Sequence, residues 1–380
     1  MNTIGKAFRV TTWGESHGKA LGAVIDGCPA NLPLSEEDIQ RELDRRRPGY
    51  SIFSTPRREP DKVEVLSGIF EGKTTGTPIS ALVYNKNQRS KDYSKIKDTP
   101  RPGHGDYTYY KKYGTYDYRG GGRASGRTTI GHVIGGSIAK KLLEYTYNIR
   151  IIGYTIKVGK IKGDFNYYSN PEIFLSSNSN NSINKIIEKI ESDPLRCPSS
   201  NSQEMIEYVK NAMEMGDSVG GIVELMVLNL PSGVGNPLFS KLSGELSGGI
   251  MNINAVKGVE IGRGFQSTEL YGSEMNDEYI YKDSIQLKTN NCGGILGGIS
   301  CGSPLVMRVA IKPTPSISKT QKTVNLKSKK EEDIEIHGRH DPIILPRAIP
   351  VIESVVAIVL VDLMIRGGFI HPCNLDINKK

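Results

Sequence analysis

No pair of cysteines in this sequence is spaced to work together. Five are scattered through 380 residues as Cys28, Cys197, Cys292, Cys301 and Cys373. Their odd number and the lack of any C-x-x-C argue against a disulfide framework and against a zinc site, so they read as reduced thiols. Metal-ligand spacing such as H-E-x-x-H is missing as well, and no metal is expected. Long apolar runs are lacking: the longest, residues 355–361, falls far short of the ~20 residues that cross a bilayer, and the opening MNTIGKAFRVTTWGESHG holds no apolar signal core. The expectation is a cytoplasmic protein with no membrane partner. Basic residues do not gather into a tail, apart from KSKK at 327–330, although the net charge is +8 and the pI near 9.0. Local basic pockets for an anion are therefore favoured over a broad basic face.

What is present is concentrated in residues 101–129, RPGHGDYTYYKKYGTYDYRGGGRASGRTT. Burying an unpaired ion costs several kcal/mol, roughly 2–7 even for a neutral polar group, so this mixture of His, Asp, Lys, Arg and Tyr must face water or an anionic ligand. Arg119, Arg123 and Arg127 offer planar forks that match carboxylate and phosphate oxygens. Gly120, Gly121, Gly122 and Gly126 let backbone N–H groups come close to a ligand. Ile130, Val133, Ile134, Ile138 and Leu142 then recur at helical spacing, with Thr128 or Thr129 as N-cap, which would bring the ligand to a helix N-terminus. A solvated Gly-rich loop explains the same composition, and the dinucleotide spacing G-x-G-x-x-G is not met.

Along the chain, residues 8–13 and 20–26 alternate as strands do and are joined by a turn carrying His17, whose charge can change near neutral pH. Ser35 opens a helix with Asp38 as a capping box, and its end carries Arg45, Arg46 and Arg47; Arg57 and Arg58 follow on a polar loop. SGIFEGKTT at 67–75 has three residues between its glycines where a phosphate-binding loop needs four, and reads as a hairpin turn. Strands are expected at 150–162, 219–230 and 305–312, and helices around 183–190, 205–213 and 350–366. The Gly density of 247–265 and 290–304 implies backbone held against a flat ligand or against another backbone. IHGRHDPIILP at 336–346 gathers His337, Arg339, His340 and Asp341. Strands outnumber helices without alternating with them, which gives an α+β class.

Taken together, GESHG at 14–18, LDRRRPG at 43–49, RREPD at 57–61, RPGHGDYTY at 101–109, KYGTYDYRGGGRASGRTT at 112–129, NAVKGVEIG at 254–262, GGILGGIS at 293–300, KPTPSIS at 312–318 and GRHDP at 338–342 closely resemble the chorismate synthase family. The resemblance covers nearly the whole chain. It implies a β-α-β sandwich in one domain, residues 1–380, with antiparallel or mixed sheets and central helices, assembled as a homotetramer. It also implies a 1,4-anti elimination of phosphate from 5-enolpyruvylshikimate 3-phosphate, giving chorismate, with reduced FMN and no net redox change. In that family His17 would protonate the reduced flavin, His104 would assist phosphate departure, and Asp341 would help the flavin N5 take the C6 proton. Flavin contacts carry over to Arg123, Ala124, Ser125, Asn254, Ala255, Gly297, Lys312, Pro313, Thr314, Pro315, Ser316 and Arg339. Arg46, Arg57 and Arg127 carry over as residues for substrate or NADP. No reductase module is visible, so an external flavin reductant is expected.

This chain has Gly105 where the family usually has Ala, Thr128 where it has Glu, and Ile52 where it has Arg. Two other classes remain open on the residues alone. The Tyr-rich stretch 107–118 with the basic pI would suit an RNA-stacking surface, although RNA-binding signatures are missing and no nucleic-acid partner is expected. A flavoprotein performing true hydride transfer is the other.

Overall fold

The computed structural model describes residues 1–49, 53, 59–86, 97–175, 179–336 and 341–376. Ile52, Arg57, Arg58, His337, Arg339 and His340, singled out above, lie outside the described residues.

The alternating segments become two five-stranded sheets. The first holds β1 (Thr3–Ile4), β2 (Arg9–Gly14), β3 (Ala20–Asp26), β4 (Val63–Ser67) and β7 (Ile79–Tyr84) in the order β1-β2-β3-β7-β4. Between β4 and β7, the stretch that mimics a phosphate loop folds as a small hairpin, β5 (Ile69–Phe70) and β6 (Lys73–Thr74). The second sheet holds β8 (Arg150–Val158), β9 (Ile161–Lys162), β10 (Gly221–Leu228), β11 (Val256–Ile261) and β16 (Leu305–Ile311) in the order β11-β16-β10-β8-β9. Every pairing inside these two sheets is antiparallel. The strand expected over 150–162 is broken at Gly159, where φ of +54° turns the chain back. Three further hairpins lie outside the sheets: β12 (Tyr279–Lys282) with β13 (Ser284–Leu287), β14 (Ile295–Leu296) with β15 (Ile299–Ser300), and β17 (Gln321–Val324) with β18 (Glu331–Ile334).

The helices are α1 (Glu36–Arg46), α2 (Asp106–Tyr113), α3 (Ile130–Tyr147), α4 (Glu172–Leu175), α5 (Ser179–Ser192), α6 (Ser202–Glu214), α7 (Leu242–Met251), α8 (Gly272–Met275) and α9 (Leu345–Arg366). In α1 the capping box forms as the sequence dictates: Asp38 N–H donates to Ser35 Oγ at 3.3 Å, and Ser35 N–H donates to Asp38 Oδ2 at 3.0 Å. The long helices α3 and α9 pack on each other, α3 also against β2 and β3 and α9 also against β8 and β10, which makes a helical layer between the two sheets. Small residues permit this. A Cβ on Gly135 of α3 would lie 2.6 Å from Val10 of β2, and one on Gly136 would lie 2.1 Å from Ser354 of α9. The fold is α+β, with its core where the sheets close on the two helices.

Covered on all sides, α9 is apolar around its whole circumference, as a core helix must be. Its 22 residues would be long and apolar enough to cross a membrane, yet 94% of the apolar window is buried within the protein. It also begins earlier than the expected Pro350, at Leu345, and carries Pro350 inside. Two carboxylates on it are held by distant segments. Glu353 accepts from Arg45 at 2.6 Å, Lys140 at 2.9 Å and the Gly153 N–H at 3.0 Å. Asp362 accepts from the backbone N–H groups of Lys6, Ala7 and Phe8 at 2.6–3.1 Å. Burial alone would raise Glu353, but Arg45 and Lys140 outweigh it and hold the carboxyl well below the usual range.

Candidate active site

A cavity of about 430 Å³ opens where α1, the loop before α2, the Gly/Arg loop and the first turns of α9 converge. Segment 101–129 forms much of its wall through Arg101, Gly103, His104, Gly105, Tyr109, Gly120, Ala124, Ser125, Gly126 and Thr129. The remaining wall comes from Arg46, Ile253, Asn254, Ala255, Lys312, Thr314, Pro315, Ser316, Asp341, Ile344, Arg347, Ala348 and Val351. Among the described residues the lining thus holds four cations, Arg46, Arg101, Lys312 and Arg347, against one carboxylate, Asp341.

The glycine run has a different task from the one its composition suggests. Gly120, Gly121 and Gly122 adopt φ of +65°, +86° and +51°, a region costly for residues with a Cβ. A Cβ on Gly120 would stand 2.6 Å from the His17 ring, and one on Gly121 would stand 2.7 Å from His104 Cε1 and 3.0 Å from its Nε2. Two consecutive glycines therefore make room for two histidines. His17 is buried and does not line the cavity itself.

His104 is fixed by its other ring nitrogen. Nδ1 lies 2.7 Å from Asp106 Oδ1, and Arg101 grips the same carboxylate with Nε and Nη2, each at 2.8 Å, while the Arg101 N–H donates to Oδ2 at 3.1 Å. Burial opposes the charge on Asp106, but the hydrogen bonds from Arg101 and His104 prevail and keep its pKa well below the ordinary carboxylate range. An ionised Asp106 accepts from Nδ1–H, so Nε2 is the ring nitrogen left for the cavity side. Arg101 and Asp106 were not among the expected site residues. An Asp two places after the motif His, with an Arg three before it, was the signal.

Of the other expected residues, Ala124, Ser125, Asn254, Ala255, Lys312, Thr314, Pro315, Ser316, Arg46 and Asp341 line the cavity. Pro313 lines an adjoining cavity of about 260 Å³ that shares Gly103, Lys312, Thr314 and Pro315 with the first. Three expected residues are placed elsewhere. Arg123 donates to Gly14 O at 3.0 Å, Thr12 Oγ1 at 2.8 Å and Asn2 Oδ1 at 2.9 Å. Arg127 is buried beside Asp61 at 3.0 Å. Gly297 sits in the turn of the β14–β15 hairpin, away from this cavity. Arg46, although it lines the wall, spends its donors on Thr129 Oγ1, Asp61 Oδ2 and Gly126 O at 3.0–3.1 Å. Burial and the neighbouring Arg347 pull its pKa down to about 9, so it stays charged at neutral pH.

The expected threonine cap on α3 is not made. Thr128 Oγ1 donates back to Ser125 O at 2.8 Å and Thr129 Oγ1 to Gly126 O at 2.6 Å, since the chain enters α3 through 3₁₀ turns rather than from extended backbone. Ala255 holds φ of +71°, an unusual conformation for a residue with a side chain, at the cavity wall. The Thr314 hydroxyl is buried there with no protein partner among the described residues. Elsewhere the Gly-rich region serves backbone contact: a Cβ on Gly262 would lie 2.2 Å from Asn291 O. All five cysteines are free, and no group of His, Cys, Asp or Glu among the described residues is arranged to hold a metal.

The family model described as chorismate synthase matches residues 8–365. A chorismate synthase of Methanococcus aeolicus is 72% identical over 378 residues, covering 99% of this chain and 100% of the relative. One of Methanocaldococcus jannaschii is 71% identical over 377 residues, covering 99% of each. A solved structure titled "Crystal Structure of Chorismate Synthase" superposes with a TM-score of 0.72 at 33% identity, over 95% of this chain and 92% of that one.

Proposed function

This chain belongs to the chorismate synthase family and is a carbon–oxygen lyase acting on phosphates, and from that premise we propose that it eliminates phosphate from 5-enolpyruvylshikimate 3-phosphate in a 1,4-anti sense to give chorismate, with reduced FMN bound and no net redox change. The observation that carries this reading is the cavity charge: four cations and one carboxylate among the described lining residues, with a histidine held by Asp106 in the wall. A departing phosphate needs stabilisation of its negative charge and a proton, and a site of this composition offers both.

The residues present fit a flavin nucleotide. Ala124, Ala255, Ile253 and Pro315 offer small apolar surfaces to a flat ring, and Lys312 with the unpartnered Thr314 hydroxyl offers donors to its polar parts. Lys312 Nζ already donates to Gly103 O at 2.6 Å, tying the KPTPS loop to the loop that carries His104. When bound, reduced flavin supplies electron density that assists loss of the allylic phosphate. With both ring nitrogens protonated, His104 gives the Nε2 proton to the leaving oxygen while Asp106 accepts from Nδ1–H and keeps the ring oriented; a general acid of this kind contributes about 10²- to 10⁴-fold. His17, seated beneath Gly120, is the residue for protonating the flavin, and Asp341, held by Arg347, assists removal of the C6 proton. Arg101 compensates substrate anions, while Arg46 and Arg127 brace the wall from behind.

The same reading takes residues 1–380 as one domain, working in the cytoplasm as a homotetramer with flavin reduced by an external donor. Exposed Tyr279, Tyr281 and Ile285 on one face of the β12–β13 hairpin, together with exposed Phe239, support an assembly that covers apolar surface. The test is anaerobic mixing of the protein with chemically reduced FMN and 5-enolpyruvylshikimate 3-phosphate. Stoichiometric phosphate and chorismate are expected with the flavin still reduced. Net flavin oxidation matched to a reduced product would replace the lyase chemistry by hydride transfer, and absence of turnover by folded, flavin-bound protein would overturn the proposal.

A further inference from the structure

Arg347 stands where helix electrostatics disfavour it. It lies in the first turn of α9, whose N-terminus already carries partial positive charge, and it faces a second cation, Arg46. Such a placement needs compensation by negative or partly negative acceptors, and two groups supply it. One fork nitrogen, Nη1, bonds Asp341 Oδ2, and Nε donates to the backbone carbonyl of Arg46 at 3.2 Å. That carbonyl belongs to the last residue of α1, where a helix leaves acceptors without intrahelical partners. One guanidinium therefore ties together the end of α1, the start of α9 and the single described carboxylate of the cavity wall. Its side chain is only 17% exposed and that of Asp341 12%, so the pair is largely shielded from water.

We infer that Arg347 is a positioning residue of the active site: it acts through Asp341, holding that carboxylate in the orientation from which it assists removal of the substrate proton. This rests on the function proposed above. The planar fork matters because two acceptors in different directions must be held at once, and a lysine ammonium presents a point charge without that geometry. A residue acting in this way affects the proton-transfer step more than ligand binding, and loss of orientation on the scale of 1 Å costs about 10²-fold.

The test is a double-substitution cycle in the reduced-flavin assay, using the full chain. Arg347→Met is expected to lower kcat about 10²-fold with KM within about 3-fold of wild type. Adding it to Asp341→Asn should cost no more than about a further 3-fold, because the two act as one unit. Arg347→Lys should recover part of the loss. Affinity for oxidised FMN, read from flavin fluorescence, should stay within about 3-fold in every variant, and urea unfolding reports whether each is folded. Should the Met variant fail to fold, the Lys variant carries the same test, with reduced kcat at unchanged KM expected. Losses that multiply in the double variant, or a rise in KM with kcat retained, would overturn the inference while leaving the lyase function standing. A wild-type protein that releases no phosphate would overturn that function and the inference with it.

Discussion

Substituting Gly121 by alanine tests the finding that the glycine run exists to seat the histidines. Gly121 has φ of +86°, and an alanine held there costs roughly 1–2 kcal/mol in backbone strain. Its Cβ would also stand 2.7 Å from His104 Cε1, 3.0 Å from Nε2 and 3.2 Å from Arg101 Nη2. Ordinary carbon contacts lie at about 3.5–4.0 Å, so the ring must retreat by about 1 Å. It cannot swing freely, because Nδ1 is fixed to Asp106 at 2.7 Å and Asp106 is gripped in turn by Arg101. A displacement of that size at a proton donor is expected to lower kcat about 10²-fold. Gly114→Ala is the matched control: φ there is +72°, and nothing lies within 4 Å of the added methyl, so it carries backbone strain alone. Both variants should lose about 1–2 kcal/mol in urea unfolding, but only Gly121→Ala should lose turnover of 5-enolpyruvylshikimate 3-phosphate. Equal kcat values for the two would refute the reasoning.

Further outcomes follow from the ionisable groups. Asp106 is held below its ordinary value near 3.8, so the stability it contributes is present above that pH and is lost as the pH falls towards its lower folded value. Asp106→Asn, which removes the carboxylate charge that buried Arg101 grips, should cost about 3–5 kcal/mol at neutral pH. Urea titrations should show that gap shrinking below pH about 4, and a gap independent of pH would contradict it. Burial pulls His132 down to about 4. The folded state keeps it neutral while the unfolded chain takes up a proton below about 6.5, so stability falls as pH drops from 6.5 to 4, with a slope of at most about 1.4 kcal/mol per pH unit. His132→Asn should flatten that slope in acid unfolding curves. Cys301 is pulled down to about 6, chiefly by a hydrogen bond from the Cys292 thiol, whereas burial pushes Cys28 up to about 12. Iodoacetamide at pH 7 should therefore label Cys301 well ahead of Cys28 by peptide mass spectrometry, and comparable labelling would count against these assignments.

The local part of this protein was legible before any coordinates. The box of Ser35 and Asp38 and the alternation in β2, β3, β8 and β16 are decided by neighbours a few residues apart, which a linear reading contains. So was the stretch that builds the cavity, because charged and Gly-rich residues packed into 101–129 have no role in an apolar core.

What depended on distant partners was not legible. The glycines at 120 and 121 were read as making room for a ligand; Gly120 does line the cavity, but both also make room for His17, more than a hundred residues earlier, and His104. Arg123 and Arg127 looked like an anion clamp and instead fasten the loop to β2 and to Asp61, since a fork finds its acceptor only after the chain has folded. Arg347 was invisible because local helix rules disfavour a cation in a first turn, and only the approach of α1 reverses that balance. Residue types and short-range order were determined by the sequence itself. Which charge meets which was decided by the closing of two sheets over α3 and α9, because electrostatic and packing energies depend on distance in space and not on separation along the chain.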